Sequence, residues 1–87
     1  MSTQNDRVRV RILLAATGRE YECMFTLSAS FRQNLSLLFQ LLEQELSMKY
    51  ESDGNECVRE CESGQMCDLY VSLRALNVQD GMRFIVC

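Results

Sequence analysis

The residues from Ser30 to Met48, SFRQNLSLLFQLLEQELSM, form the one segment of this chain long and periodic enough for a full helix. At about 100° per residue, Phe31, Leu35, Leu38, Phe39, Leu42 and Leu46 fall within an arc of roughly 100°, the width of the stripe that a surface helix turns toward a core. Ser30 with Gln33 three places on has the form of a capping box, in which the hydroxyl accepts from the Gln33 amide and the Gln33 side chain reaches back. No proline or glycine interrupts the segment. A helix with one such stripe predicts a single sheet beneath it.

The same projection shows a second apolar group, Leu37, Leu41 and Met48, centred roughly 120° from the first. It reads first as a rim covered by the segment that returns after the helix. The alternative is an exposed patch that receives a protein partner or a second copy of the chain, giving a homodimer.

On either side of the helix the period changes from helical to two. Val8, Val10, Ile12 and Leu14 alternate with Arg7, Arg9 and Arg11, and Tyr21, Cys23, Phe25 and Leu27 alternate with Glu22, Met24 and Thr26. Each run predicts a strand with one face buried and one in water. Gly18, within Ala15-Ala16-Thr17-Gly18-Arg19, supplies the positive φ of a tight reversal, so the first third reads as a β-hairpin.

After the helix, Asp53-Gly54-Asn55 marks a turn. Glu56 to Cys61 reads as a short strand with Cys57 inward together with either Val58 or Arg59. Gln65 to Cys67 reads as a minimal strand, and Ser72 to Leu76 as a helical turn. Asp80-Gly81 turns the chain into a last strand, Met82 to Cys87, where Phe84 and Val86 alternate with Arg83 and Ile85. A final apolar strand parallel to the first, beside a hairpin and one crossing helix, gives an α+β fold of the β-grasp type, a mixed sheet of four to five strands on one main helix.

The chain has 87 residues, 47% of them hydrophobic, and a formal net charge of −3, which fits one domain over residues 1–87 with residues 1–6 expected to be disordered. No apolar run approaches the roughly 20 residues needed to cross a bilayer, and the start, MSTQNDR, lacks a signal-peptide core. The expectation is a cytoplasmic protein without membrane insertion. Acidic residues dominate the middle third, whereas Arg7, Arg9, Arg11, Arg19 and Arg32 lie in the first, so the molecule is expected to have a basic and an acidic side. The sequence pI is about 4.8, and an arginine strand without interleaved aromatics has no stacking platform, which argues against nucleic acid.

Five cysteines and no histidine argue against a disulfide framework or a nucleophile–base pair. Cys57, Cys61 and Cys67 form the one conceivable metal set, but they lack the paired C-x2-C knuckles of a zinc site. Cys23 reads as a core residue and Cys87 as the most reactive thiol. The isolated glycines form no phosphate-cradling loop, so neither cofactor nor catalysis is expected.

Several segments carry a resemblance: the arginine-alternating first strand, Ala16-Thr17-Gly18-Arg19-Glu20-Tyr21-Glu22, the leucine-rich helix, Ser72-Leu73, Leu76-Asn77-Val78, and Asp80-Gly81-Met82-Arg83-Phe84-Ile85-Val86. Over about Arg7 to Cys87 the chain resembles the ubiquitin-like superfamily, and within it the bacterial YukD/EsaB-like proteins associated with type VII (ESX-like) secretion systems. The resemblance implies a noncatalytic protein-binding adaptor on the cytoplasmic part of a secretion apparatus. Ubiquitin-like modifiers and sulfur carriers act through a Gly-Gly tail, whereas this sequence is read as closing on a strand at Cys87. Conjugation or sulfur transfer is therefore the alternative that a longer C-terminus would favour, and a small cysteine- or zinc-dependent regulator is a third reading. Contact surfaces implied for the adaptor are Leu37, Leu41 and Met48 on the helix, or Arg9, Arg11, Val58 and Ile85 on the open sheet face.

Overall fold

The computed structural model describes residues 6–45 and 56–87. It contains strands β1 (Arg7–Leu14) and β2 (Arg19–Thr26), helix α1 (Phe31–Glu45), and strands β3 (Val58–Glu60), β4 (Met66–Cys67) and β5 (Met82–Val86). The five strands form one sheet in the order β2-β1-β5-β3-β4. β1 runs antiparallel to β2 and parallel to β5, and β3 is antiparallel to both β5 and β4. The expected ubiquitin-like β-grasp is therefore the fold, with one helix on a five-stranded mixed sheet.

The alternation in β1 sorts its side chains. Val8, Val10, Ile12 and Leu14 enter the core, and Arg7, Arg9 and Arg11 stay exposed on the far face. Phe31, Leu35, Leu38 and Leu42 come down from α1 onto Val10, Ile12, Leu14, Val58, Phe84 and Val86 in a single buried cluster, with Phe39 partly buried at its side. Leu46 and Met48 lie outside the described residues. The Phe31 ring meets Phe84 edge-on at a centroid distance of 4.9 Å and 67°, and meets Phe25 at 6.4 Å and 77°. Such pairs add about 0.5–1.5 kcal/mol each beyond the area they bury.

The helix start agrees with its sequence signal. Ser30 Oγ accepts from the Gln33 amide at 3.2 Å, and Gln33 Oε1 accepts from the Ser30 amide at 3.1 Å, closing the capping box. Asn34, by contrast, carried no such signal. It is buried, with Oδ1 accepting from the Thr26 amide at 2.8 Å and Nδ2 donating to the carbonyls of Thr26 at 3.1 Å and Ser30 at 2.9 Å. One side chain thus supplies to Thr26 both bonds that a neighbouring strand would have made.

The expected helical turn at Ser72 to Leu76 is a single turn closed by the Val78 amide bonding to the Leu73 carbonyl and the Asn77 amide to that of Arg74. Asn77 sits at φ 60°, and both Leu73 and Val78 are buried, which is the pattern of a Schellman ending with asparagine in the left-handed position. Gly81, at φ 89°, then aligns β5 with β1: its amide donates to the Arg9 carbonyl while Asp80 Oδ1 accepts from the Arg9 amide at 2.8 Å.

Asp6 is the first described residue and is tied to the fold. Its carbonyl accepts from the Leu27 amide, and its carboxylate accepts from Ser28 Oγ at 2.7 Å and pairs with Arg74. Residues 1–5 lie outside the described residues.

Both ties, at Asn34 and at Asp6, can be tested by substitution. Replacing Asn34 with Ala leaves the Thr26 amide and carbonyl without partners under α1, and should lower stability by about 2–3 kcal/mol, read as a shift in the urea midpoint at unchanged slope. The Ser28 hydrogen bond, aided by Arg74, holds the Asp6 carboxyl below its ordinary value. A group lowered in the folded state stabilises above its unfolded pKa and stops doing so as pH falls through the folded one. Asp6→Asn should therefore lower the melting temperature at pH 7, and the difference from wild type should vanish as the pH drops below the carboxylate range.

Candidate functional site

Two surfaces hold the sequence candidates. The first is a groove between α1 and β2, about 270 Å³ in volume, lined by Arg7, Met24, Phe25, Asn34, Leu37 and Leu41 among others. Leu37 and Leu41 are 61% and 50% exposed. The returning segment 56–87 does not cover the two leucines, so among the described residues the second apolar stripe is open rather than a covered rim. Two of the five large hydrophobic side chains that stand exposed among the described residues, Leu37 and Leu41, lie here, whereas Met24 borders the groove from β2 with its side chain, opposite Arg9, on the parity of the open sheet face.

The groove is bounded by a sheet edge. β2 is the outer strand, and its register with β1 determines which of its backbone groups point away from the sheet. Asn34 bonds Thr26 on that outer side, and the two-residue alternation of an antiparallel ladder turns the amides and carbonyls of Met24, Glu22 and Glu20 the same way. Met24 looked like one more water-facing position in the alternation. What marks it is an apolar residue at an outward position on a strand that β-grasp topology puts at an edge.

The second surface is the open face of the sheet. Glu20, Leu13, Ile85, Arg59 and Met66 are successive register partners across β2, β1, β5, β3 and β4, so they form one row. In the next row Glu22, Arg11 and Arg83 are neighbours. Arg83 Nε reaches Glu20 at 2.9 Å and Arg9 Nε reaches Glu22 at 3.9 Å, exposed pairs worth roughly 0–1 kcal/mol each. Arg9, Arg11 and Ile85 thus lie on this face, with Ile85 half-buried. Val58 does not: it is fully buried beneath α1, because in the short strand β3 it is the inward residue and Arg59 the outward one. Cys57, expected inward, takes the outward parity next to Val58 and is half-buried.

The cysteines divide between the two sides. Cys67 pairs in register with the inward Val58, whereas Cys57 has the opposite parity and Cys61 lies exposed after β3. The conceivable ligand set Cys57, Cys61 and Cys67 is therefore split by the sheet, and no group of three metal-ligating side chains forms among the described residues. Cys23 packs against the core as expected. Burial, with Glu22 adding to it, pushes its thiol up to about 11, and burial raises Cys67 as well. Both are poor nucleophiles at neutral pH. The Glu60 carboxyl is lowered by its hydrogen bonds with Ser63 and the Glu62 amide, a turn-stabilising arrangement rather than a poised acid or base. No helix among the described residues is long and apolar enough to cross a membrane.

No protein-family model matches the chain, and no curated protein matches its sequence. Solved structures do share its shape. The ubiquitin of Caldiarchaeum subterraneum superposes with a TM-score of 0.67 at 15% identity, covering 92% of this chain and 90% of that one. The ubiquitin-like domain of EccD5 from Mycobacterium xenopi gives 0.66 at 19% identity, covering 95% and 94%. A chain of the MycP5-free ESX-5 inner membrane complex gives 0.65 at 20% identity, covering 95% of this chain and 21% of that longer one. At these identities the likeness is one of fold, and the fold is that of ubiquitin, shared with ubiquitin-like domains of type VII secretion proteins.

Proposed function

We propose that this chain is a noncatalytic ubiquitin-like adaptor, an accessory or regulatory component of a type VII (ESX-like) secretion system of the YukD/EsaB kind, working in the cytoplasm through protein contacts. The observation that carries the reading is the groove beside β2, where Leu37 and Leu41 stand exposed against an outer strand edge. An extended partner segment gains main-chain hydrogen bonds by adding to such an edge and gains specificity by burying alternate apolar side chains beside it. The fold shared with domains of ESX assemblies supports the setting.

A second reading places the contact on the open sheet face. Arg7, Arg9, Arg11, Arg59 and Arg83 have the outward parity there, against Glu20 and Glu22, so a chain of net charge −3 carries a locally basic face with Leu13 and Ile85 at its centre. Such a face suits an acidic protein surface, and its contribution would fall with added salt.

Binding to purified cytoplasmic segments of an ESX inner-membrane complex separates the readings. Leu37→Glu with Leu41→Glu should weaken binding at least tenfold, about 1.4 kcal/mol or more, at nearly unchanged melting temperature because both side chains are already exposed. Arg9→Glu with Arg11→Glu should act mainly on the association rate and its salt dependence. If both double variants bind as wild type does, neither surface is the interface. A molar mass that rises with concentration and is lowered by the leucine pair would instead assign the groove to a homodimer.

A further inference from the structure

Cys57 and Cys87 face each other across the sheet. The β3–β5 register pairs Val58 with Val86 and Arg59 with Ile85, so one step further it brings Cys57 opposite Cys87. The ladder is closed there in both directions: the Cys57 amide donates to the Cys87 carbonyl at 2.9 Å and the Cys87 amide donates to the Cys57 carbonyl at 2.9 Å. Residues that exchange both backbone bonds stand about 5.5 Å apart at Cα and project from the same face. That separation lies within the ~4.4–6.8 Å that disulfides span. Val58 and Val86 point into the core, so both thiols have the outward parity, Cys87 exposed and Cys57 half-buried.

The other three thiols are not placed this way. Cys23 lies on the opposite edge strand and Cys67 on the core side, both with raised pKa values, and Cys61 comes after β3 at its far end.

We propose that Cys57 and Cys87 form a reversible thiol–disulfide modification site, oxidised by exchange with a low-molecular-weight disulfide. The Cys87 thiolate attacks one sulfur of the small disulfide and expels one thiolate, leaving a mixed disulfide. The Cys57 thiolate then attacks the Cys87 sulfur and expels the second. Two cysteine sulfurs give up two electrons, the small disulfide is reduced to two thiols, and the protons lost by the cysteines end on those leaving groups. A hydrogen-bonded antiparallel pair holds its Cβ atoms about 5.5 Å apart, wider than the ~3.8 Å a relaxed disulfide prefers. The cystine is therefore strained and easily reduced, the property of a labile rather than a structural bridge. The pair sits just outside β3 and β5. Once formed, the bond staples β3, and β4 behind it, to β5.

Tryptic peptides separate the two thiols cleanly. Trypsin cleaving after Lys49, Arg59 and Arg83 releases Cys57 in the peptide 50–59 and Cys87 in the peptide 84–87, each with one cysteine. The folded protein is incubated with oxidised glutathione, remaining thiols are alkylated at acid pH, and the digest is analysed by mass spectrometry. Linked 50–59/84–87 should exceed every other pairing at least tenfold, and brief treatment with a small excess of dithiothreitol should reverse it. In urea the preference should pass to Cys57–Cys61 and Cys61–Cys67, because short loops close at lower entropic cost. Cys57→Ser should stop the reaction at glutathione on Cys87, and Cys87→Ser should remove the linkage. Glutathione retained on Cys87 of the wild-type protein without the linked peptide, or the same pairing pattern in native and urea-unfolded protein, would overturn the proposal.

Discussion

The meeting of Phe31 with Phe84 is the contact on which the arrangement depends. Phe31 opens α1 and Phe84 is the middle residue of β5, two elements separated by more than half the chain. Their edge-to-face contact brings the start of the helix over the centre of the sheet, and Phe25 on β2 closes the other side of the same ring. Once Phe31 is there, the spacing of Leu35, Leu38 and Leu42 lays the rest of the helix along Val10, Ile12 and Val86. The capping box sets where the helix begins, and Asn34, one turn in, ties that turn to the end of β2. Packing and hydrogen bonding thus anchor the same few residues from two directions.

Much of this was legible because periodicity reports burial directly. The hairpin, the buried stripe of α1 and the parallel return of β5 all rest on runs long enough for a period to be read, and each is found where the pattern put it. The short elements were not legible in the same way. In three residues of β3 a period of two cannot be told from its opposite, so the choice between Val58 and Arg59 stayed open and Cys57 was put on the inward side that Val58 takes. Asn34 was illegible for another reason: a polar residue on a helix looks solvated until its backbone partner, eight residues away in β2, is known to lie beneath it. The Leu37 and Leu41 stripe was visible as a pattern. What sequence could not supply was the absence of cover from the segment 56–87.

The open sheet face shows how an acidic chain can carry a basic surface. Arg11 and Arg83 are register neighbours, a like-charge pair that costs stability when left alone. Glu22 opposite Arg11 and Glu20 on Arg83 offset it, while Arg59 stands in the next row with Leu13 and Ile85. Stability alone would be served as well by lysines or by neutral residues at these positions. Exposed charge of this kind changes association far more than it changes folding.

The two edges of the sheet are handled differently, and the difference locates the groove. β4 is an edge two residues long, too short to template pairing. β2 is eight residues long, and an edge of that length invites another strand unless it is blocked. At one end Asn34 occupies both backbone groups of Thr26, and at the other Glu20 and Glu22 put charge on the strand. Between the asparagine and the glutamates stands the uncharged Met24, and Leu37 and Leu41 lie exposed on α1 beside this edge. An edge protected at both ends resists indiscriminate sheet-to-sheet pairing. The same device that finishes the fold, one buried asparagine standing in for a strand, also blocks one end of that edge.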